Sequence, residues 1–277
     1  MPTTLPPQIK DCPPSGTGVH KWIFHAACVL DKAGYADTNI EEWIGQHSSR
    51  CLQPGEVRNA LKTIRNSVVA VRPRWPLPNP IDTKRIANLG GGMEALVDSS
   101  AVECTRGEEA LEQLFEGDPL LCCGLSSREF ATKARTRWNP PDRYQFIVPS
   151  PMLSKWGETQ AGRRSQHTLK NTGPRHYLVV EFDEGTHDTH ASLIQHLALH
   201  APLCMAVDSG GKSIHAWFDV REWSEVAARR VFQLACQLGA DPATWTRSQF
   251  VRMPNGRRAN GNRQQIIHFN PPKYAPF

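Results

Sequence analysis

His176–Glu184, HYLVVEFDE, is the stretch on which the reading of this 277-residue chain turns. Side chains of an extended strand alternate between its faces, so Tyr177, Val179, Glu181 and Asp183 share one face and Leu178, Val180 and Phe182 the other. At roughly 3.3 Å of rise per residue the two acids stand about 6.5 to 7 Å apart at Cα, close enough to converge on one or two divalent ions. Oxygen donors of this kind suit Mg²⁺ or Mn²⁺ better than zinc. An exposed strand end, where polar residues simply begin, would carry the same E-x-D pattern. The apolar run LVV ahead of the acids instead places the strand inside a sheet, where two unpaired carboxylates are costly.

Downstream, PLCMAVDSGGKSIHAWFDV (202–220) reads as two strands joined by a turn at Ser209, Gly210, Gly211 and Lys212, because a Gly-Gly pair supplies the positive φ of a tight hairpin. The second strand places Ser213, His215 and Trp217 on one face. If the hairpin pairs beside the carboxylate strand, Ser213 and His215 face the same cleft as the acids. Backbone N–H groups of the turn, with Lys212, Ser213 and His215, could then hold a triphosphate. A decorated hairpin with a packed histidine is the plainer alternative. REWSEVAARRVFQLACQLGAD follows as a packing helix with Val226, Ala227 and Leu234 on its apolar stripe, ending at Gly239. Asp241 is then either a turn or cap residue or a third metal-facing acid. Arg252 precedes Met253 and Pro254 in a short strand, and RQQIIHFNP closes the sheet.

Ahead of this region, residues 1–15 are proline-rich and read as flexible. Over 16–68 the apolar spacings Val19, Trp22, Ile23, Ala26, Leu30, Ala33 and Val57, Ala60, Leu61, Ile64 predict helices, with a third in DTNIEEWIGQH capped by Asp37 or Thr38. Three short amphipathic helices make a small bundle. VRPRWPLPNPID begins a linker over 69–94. Within 95–277, GEEALEQLFEGD reads as helix, LLCCGL and RYQFIVPSPM as strands, and 161–175 as a mobile basic loop.

The formal net charge is only +5, but its distribution is uneven. Residues 126–175 hold ten Lys or Arg against three acids, and from Asp241 onward six basic residues face that single acid. Arg163, Arg164, Lys170, Arg257 and Arg258 are the candidates for contact with a polyanion, solvated basic faces being the alternative. No run approaches the ~18 apolar residues of a membrane span and no secretory leader is evident, so a soluble, cytoplasmic protein is expected. The eight cysteines include no C-x-x-C pair, which argues against a disulfide framework or a four-cysteine zinc site.

The order E-x-D (Glu181, Asp183), then SGGKSIH (209–215), then an Asp followed by VRMP (251–254) resembles the archaeo-eukaryotic primase superfamily, the primase-polymerases of plasmids, phages and bacterial mobile elements. The likeness spans about residues 95–270. It implies an α+β fold: a two-unit core whose catalytic sheet, about 176–270, is of the RNA-recognition-motif type. The helical bundle resembles an accessory domain of such proteins, placed here ahead of the core. By the same resemblance Glu181, Asp183 and Asp241 bind Mg²⁺ or Mn²⁺, Ser209, Lys212, Ser213 and His215 hold nucleotide phosphates, and Arg252 contacts nucleotide or template. The implied activity is DNA primase or polymerase chemistry on single-stranded DNA with nucleoside triphosphates. The chain departs from the family pattern at Asn255, where the Arg-x-Pro-Gly motif has glycine. No G-x-x-x-x-G-K-[ST] loop is present, so a replicative helicase would be a separate chain. Two other classes remain open: a non-catalytic single-strand-binding module, and a rolling-circle nickase, which needs a histidine pair and a tyrosine nucleophile that the four tyrosines do not obviously supply.

Overall fold

The computed structural model describes residues 9, 11–14, 18–32, 35–69 and 75–271, and the chain divides into two compact units, Met1–Arg74 and Trp75–Phe277. In the first, α1 (Val19–Lys32), α2 (Asp37–His47) and α3 (Glu56–Val69) enclose one apolar core. The spacing read from sequence is the spacing buried: Trp22, Ile23, Ala26 and Leu30 face Ile40, Trp43 and Ile44 of α2 and Val57, Leu61 and Ile64 of α3. Ala33 lies outside the described residues. α2 starts after Ala36, which offers no side-chain cap, so neither Asp37 nor Thr38 caps it. Of the segment expected to be flexible, Ile9 is buried in this core, and the Cys12 thiol donates to Ser49 Oγ at 3.5 Å.

The second unit begins inside the stretch read as linker. Residues 75–94 are not a spacer: α4 (Pro80–Leu89) and α5 (Gly92–Asp98) occupy most of it. Asn79 caps α4 by accepting from Ile81 N, and Pro80 sits where a helix needs no N–H. α4 packs against α7 (His187–Ala198), and α5 is fastened to it, since Met93 N donates to Asp188 Oδ1 at 3.0 Å and Gln195 Nε2 to Gly92 O at 2.9 Å. Four prolines in twelve residues suggested a linker, but Pro76, Pro78 and Pro80 lead into a docked helix, Pro73 lying outside the described residues.

After α6 (Gly107–Leu114), β1 (Leu120–Gly124), β2 (Phe130–Ala134) and β3 (Phe146–Ile147) form an antiparallel sheet. A two-stranded ribbon, β4 (Gly157–Glu158) and β5 (Arg164–Ser165), follows. Residues 161–175 are therefore not a featureless loop: Asn171 Nδ2 donates to Ser154 O and Gln166 O, and Thr172 Oγ1 to Thr168 O. Short polar side chains with local backbone bonds have no hydrophobic period to betray them.

β6 (Tyr177–Val180), α7, β7 (Leu203–Asp208), β8 (Ile214–Asp219) and α8 (Glu225–Gln237) build the principal sheet, while β9 (Val251–Arg252) joins β3 and β10 (Gln265–Phe269) joins β7. The order is β10-β7-β8-β6, all antiparallel. Beyond β6 the chain leaving α8 pairs back, Phe182 bridging Ala240 and Asp241 N donating to Glu181 O at 2.9 Å. The two faces of this sheet are buried differently. Leu178, Val180, Phe182, Ala216 and Phe218 pack against α7 and α8, whereas Tyr177, Val179, Met205, Val207 and Trp217 pack against α6 and the first sheet. Burial on both sides explains an unbroken apolar YLVV. On α8, Ala228, Val231, Phe232 and Ala235 are buried, while Val226, expected on the stripe, is exposed. No helix among the described residues is long and apolar enough to cross a membrane.

Candidate functional site

Regular pairing of β6 ends at Val180, and the acids lie just past it, Glu181 directly after the strand and Asp183 in the following bend. Alternation nevertheless continues: Phe182 stays on the helix side. Glu181 turns to the other face, where His215 stands in line with it on β8. His215 Nε2 lies 3.1 Å from Glu181 Oε2, and Ser213 Oγ donates to Glu181 Oε1 at 3.4 Å and to Ser209 Oγ at 3.3 Å. Four of the residues singled out by sequence, Glu181, His215, Ser213 and Ser209, are therefore linked by direct contacts.

The contact between Glu181 and His215 is not a salt bridge in the usual sense. Burial pushes the Glu181 carboxyl up to about 7, with Asp183 and Asp241 adding repulsion that the Arg252 charge only partly offsets. Burial, reinforced by Arg252 and Arg258, pushes His215 down to about 3. An ion pair would move both the other way; desolvation wins because neither group has water to spread its charge. At neutral pH the imidazole is uncharged, and both ring nitrogens are buried without hydrogen-bond geometry to any partner among the described residues. The site holds polar groups unsatisfied by the protein itself, which is costly unless a ligand completes them.

Asp241 takes the cap role considered for it. Its Oδ1 caps the short helical turn Pro242–Trp245 by accepting from Ala243 N at 2.9 Å, and its charge still acts on Glu181. Arg252 reaches the site from the other sheet: β9 carries it, its guanidinium lies 5.1 Å over the Phe146 ring, and it interacts with Glu181 while burial and Arg258 lower its own pKa.

The turn between β7 and β8 is wider than a tight hairpin, closed by Ser209 N donating to Ser213 O at 2.9 Å. Only Gly210 uses the left-handed region, at φ 66°. A Cβ at Gly211 would meet Arg258 Nη1, the movable far end of a side chain that lies across the turn. Arg258, expected on a nucleic-acid path, thus packs on this turn and donates to Ser209 O at 3.5 Å. Asn255 takes φ 54°, a conformation asparagine tolerates better than most residues. It accepts from Ile266 N at 3.0 Å. Its Nδ2 donates to Cys104 O at 3.3 Å, so asparagine at the position where the resembled motif has glycine takes the left-handed turn and makes two side-chain bonds.

Other expected residues lie apart. Lys212 is exposed at the turn. Arg163 and Arg164 are exposed on the β4–β5 ribbon, Arg164 over the Trp156 ring at 4.5 Å, and Lys170 pairs with Glu158 at 2.8 Å. Arg257 is exposed and donates to Gly261 O at 3.3 Å. Sequence reasoning missed His187, 3.4 Å from Asp208 Oδ2, and His190, which is fully buried, stacks on Phe182 and bonds Glu184 O at 2.8 Å. Their spacing i, i+3 on a helix starting six residues after Glu181 was the available signal.

Among the described residues no three His, Cys, Asp or Glu side chains form a ready-made metal cage. Mg²⁺ commonly takes one or two carboxylates and completes its shell with water and substrate phosphates, so the donor chemistry of Glu181, Asp183 and Asp241 fits such an ion.

No family model matches the chain, and no curated protein matches it. Among solved structures it is similar to the AEP domain of the cyanophage S-2L primase-polymerase, with 18% sequence identity and a TM-score of 0.38 over 60% of this chain and 90% of that one.

Proposed function

We propose that the chain is a nucleotidyltransferase of the primase-polymerase kind, joining nucleoside triphosphates on a single-stranded DNA template. One observation carries the reading: a carboxyl pushed up to about 7 beside two more acids touches a neutral, buried histidine that has no hydrogen-bond partner among the described residues. A divalent cation relieves the first strain and a phosphate oxygen the second.

In this reading Glu181, Asp183 and Asp241 hold Mg²⁺ or Mn²⁺, which when bound lowers the pKa of an attacking 3′-hydroxyl and neutralises charge on the departing pyrophosphate. The chain's own groups do the rest. Neutral His215 donates a ring N–H to a phosphate oxygen, and Ser213 and Ser209 offer hydroxyls beside it. Arg252 and Arg258 supply positive charge near His215, and Lys212 adds one at the turn. These groups are positioned before substrate arrives, so little reorganisation accompanies the reaction. Arg163, Arg164, Lys170 and Arg257 belong to the path of the template, with Lys170 weakened by its pairing to Glu158. Supporting the RNA-recognition-motif form of the core, the succession β6-α7-β7-β8-α8 returns at Ala240 to the free edge of β6. β10 then extends the opposite edge. A separate helicase would open duplex DNA for it.

Primer synthesis on single-stranded template with labelled nucleotides and Mg²⁺ or Mn²⁺ tests the proposal. Product from the wild type, lost in Asp183→Ala while single-strand binding persists, is the expected result. Equal synthesis by the variant overturns it, and strand binding without synthesis by the wild type leaves a binding module.

A further inference from the structure

A second cluster of charge lies at the other end of the same strands. Arg175 stands just before β6, Arg221 just after β8, and Arg247 follows the turn Pro242–Trp245; all three line a cavity of about 390 Å³ with Glu225, the first residue of α8. Six residues separate Arg175 from Glu181 and Arg221 from His215, which at the rise of an extended chain puts this cavity roughly 20 Å from the acids. Its three guanidinium groups are compensated unequally. Arg221 is firmly paired, Nε donating to Asp219 Oδ1 at 2.9 Å and Nη2 to Oδ2 at 2.7 Å. Arg175, its side chain only 6% exposed, lies over the Trp245 ring at 4.2 Å and reaches the Glu225 carboxylate through two bonds of 3.3 Å, longer than is usual for charged pairs. Arg247 forms no ion pair among the described residues: its Nη2 donates to Leu169 O at 3.4 Å, and its buried Nε has no partner there. Burial first, and the Arg247 charge in addition, push the Arg175 guanidinium below its ordinary pKa against the pull of Glu225.

We infer that this pocket binds a phosphate dianion, free or at the head of a small monoester, and that Glu225 stands in for it when the pocket is empty. The inference is independent of the nucleotidyl-transfer reading. Arginine's planar fork matches the oxygens of a phosphate as well as those of a carboxylate. The Glu225 side chain is 54% exposed, so it turns into water at little cost when a phosphate takes over the Arg175 donors. The same phosphate gives the buried Nε of Arg247 an acceptor, which removes the cost of an unmade bond. With Glu225 turned away, Arg175 and Arg247 are both uncompensated, and a monoester carries close to two negative charges. α8 begins here, capped by Ser224, and the N-terminal end of a helix favours negative charge. The volume lies low in the range of roughly 300–1,000 Å³ typical of small-molecule sites. Leu153, Val220, Trp223 and Ala228 give the pocket an apolar side suited to a small organic group. A phosphodiester within a strand carries one charge and is flanked on both sides, so it suits the exposed basic ribbon β4–β5 better than a guanidinium this deep.

Titration calorimetry on the full chain, with no divalent cation present, tests this. The probes are inorganic phosphate and phenyl phosphate, with phenol as the control that lacks the charged group. At least one of the two phosphates binds the wild type and phenol does not. Binding weakens by about tenfold or more in Arg247→Gln and in Arg175→Lys, strengthens several-fold in Glu225→Gln, where the competing carboxylate is gone, and is unchanged in Arg252→Ala. Tighter binding of phenyl phosphate than of the inorganic ion identifies a monoester as the ligand; otherwise the free ion is. Arg247 and Glu225 are not core side chains, so their variants separate lost binding from lost folding even if Arg175→Lys does not fold. Absence of phosphate binding in both the wild type and Glu225→Gln overturns the inference. So does binding that is indifferent to Arg247→Gln, weakened in Glu225→Gln, or lost in Arg252→Ala.

Discussion

Replacing Glu181 by glutamine should stabilise the protein at alkaline pH and leave it unchanged at acid pH. In the unfolded chain this carboxyl titrates near 4.5, and in the folded one at about 7, chiefly from burial. Between those values the folded state holds a proton that the unfolded state has released, so stability falls as pH rises. Above pH 7 the loss is complete and amounts to about 3 kcal/mol, each pKa unit being worth about 1.4 kcal/mol. Glu181→Gln removes the ionisation and with it the loss. For a unit of this size that is a rise in Tm of roughly 6 to 12 °C at pH 8.5, shrinking to nothing below pH 4.5. Differential scanning calorimetry of both full-length proteins at several pH values measures it. Mn²⁺ should raise the wild-type Tm at pH 8 and do so less in the variant. A difference between the proteins that does not change with pH would refute the argument, because it would mean that the carboxylate is well solvated.

Gly211→Ala should leave the melting temperature nearly unchanged, since the flexible Arg258 can move aside, yet weaken triphosphate binding several-fold; titration calorimetry separates the two. Gly210→Ala meets both a left-handed φ and the Arg263 carbonyl, 2.4 Å from the added carbon, and should cost about 1–3 kcal/mol in denaturant unfolding. Asn255→Ala loses two side-chain bonds and strains the turn, about 2 kcal/mol, whereas Asn255→Gly keeps the backbone and loses less. In the helical unit the Arg50 hydrogen bond holds the Glu56 carboxyl down at about 2. That stability is present above pH 4.5 and lost as pH falls toward 2, so Glu56→Gln should flatten the acid dependence of amide exchange in α3.

Much of the site was legible because strand alternation is rigid geometry. Once HYLVVEFDE is a strand, Glu181 must face opposite to Phe182, and a hairpin ending SIH must bring His215 to one of the two faces. What alternation could not give was the strand's end. Val180 is the last regular residue, and Asp241 reaches the acids by backbone pairing with Glu181 after a long helix, a contact with no local signal. The proline-rich 75–94 misled for the reverse reason. Composition marks where a helix cannot continue, but it does not say that α5 is then held to α7 by Met93 bonding Asp188 and Gly92 bonding Gln195, pairs about a hundred positions apart. Arg258 and Gly211 met the same limit: each is unremarkable alone, and the contact that joins them depends on the register of distant strands.

Anomalous diffraction from crystals soaked with Mn²⁺ and a non-hydrolysable nucleoside triphosphate bears most directly on the claim that these acids and this histidine form one site. Manganese bonded to Glu181 and Asp183, with phosphate oxygens at His215 and Ser213, is the predicted result. Manganese elsewhere, or a triphosphate bound away from His215, would contradict it.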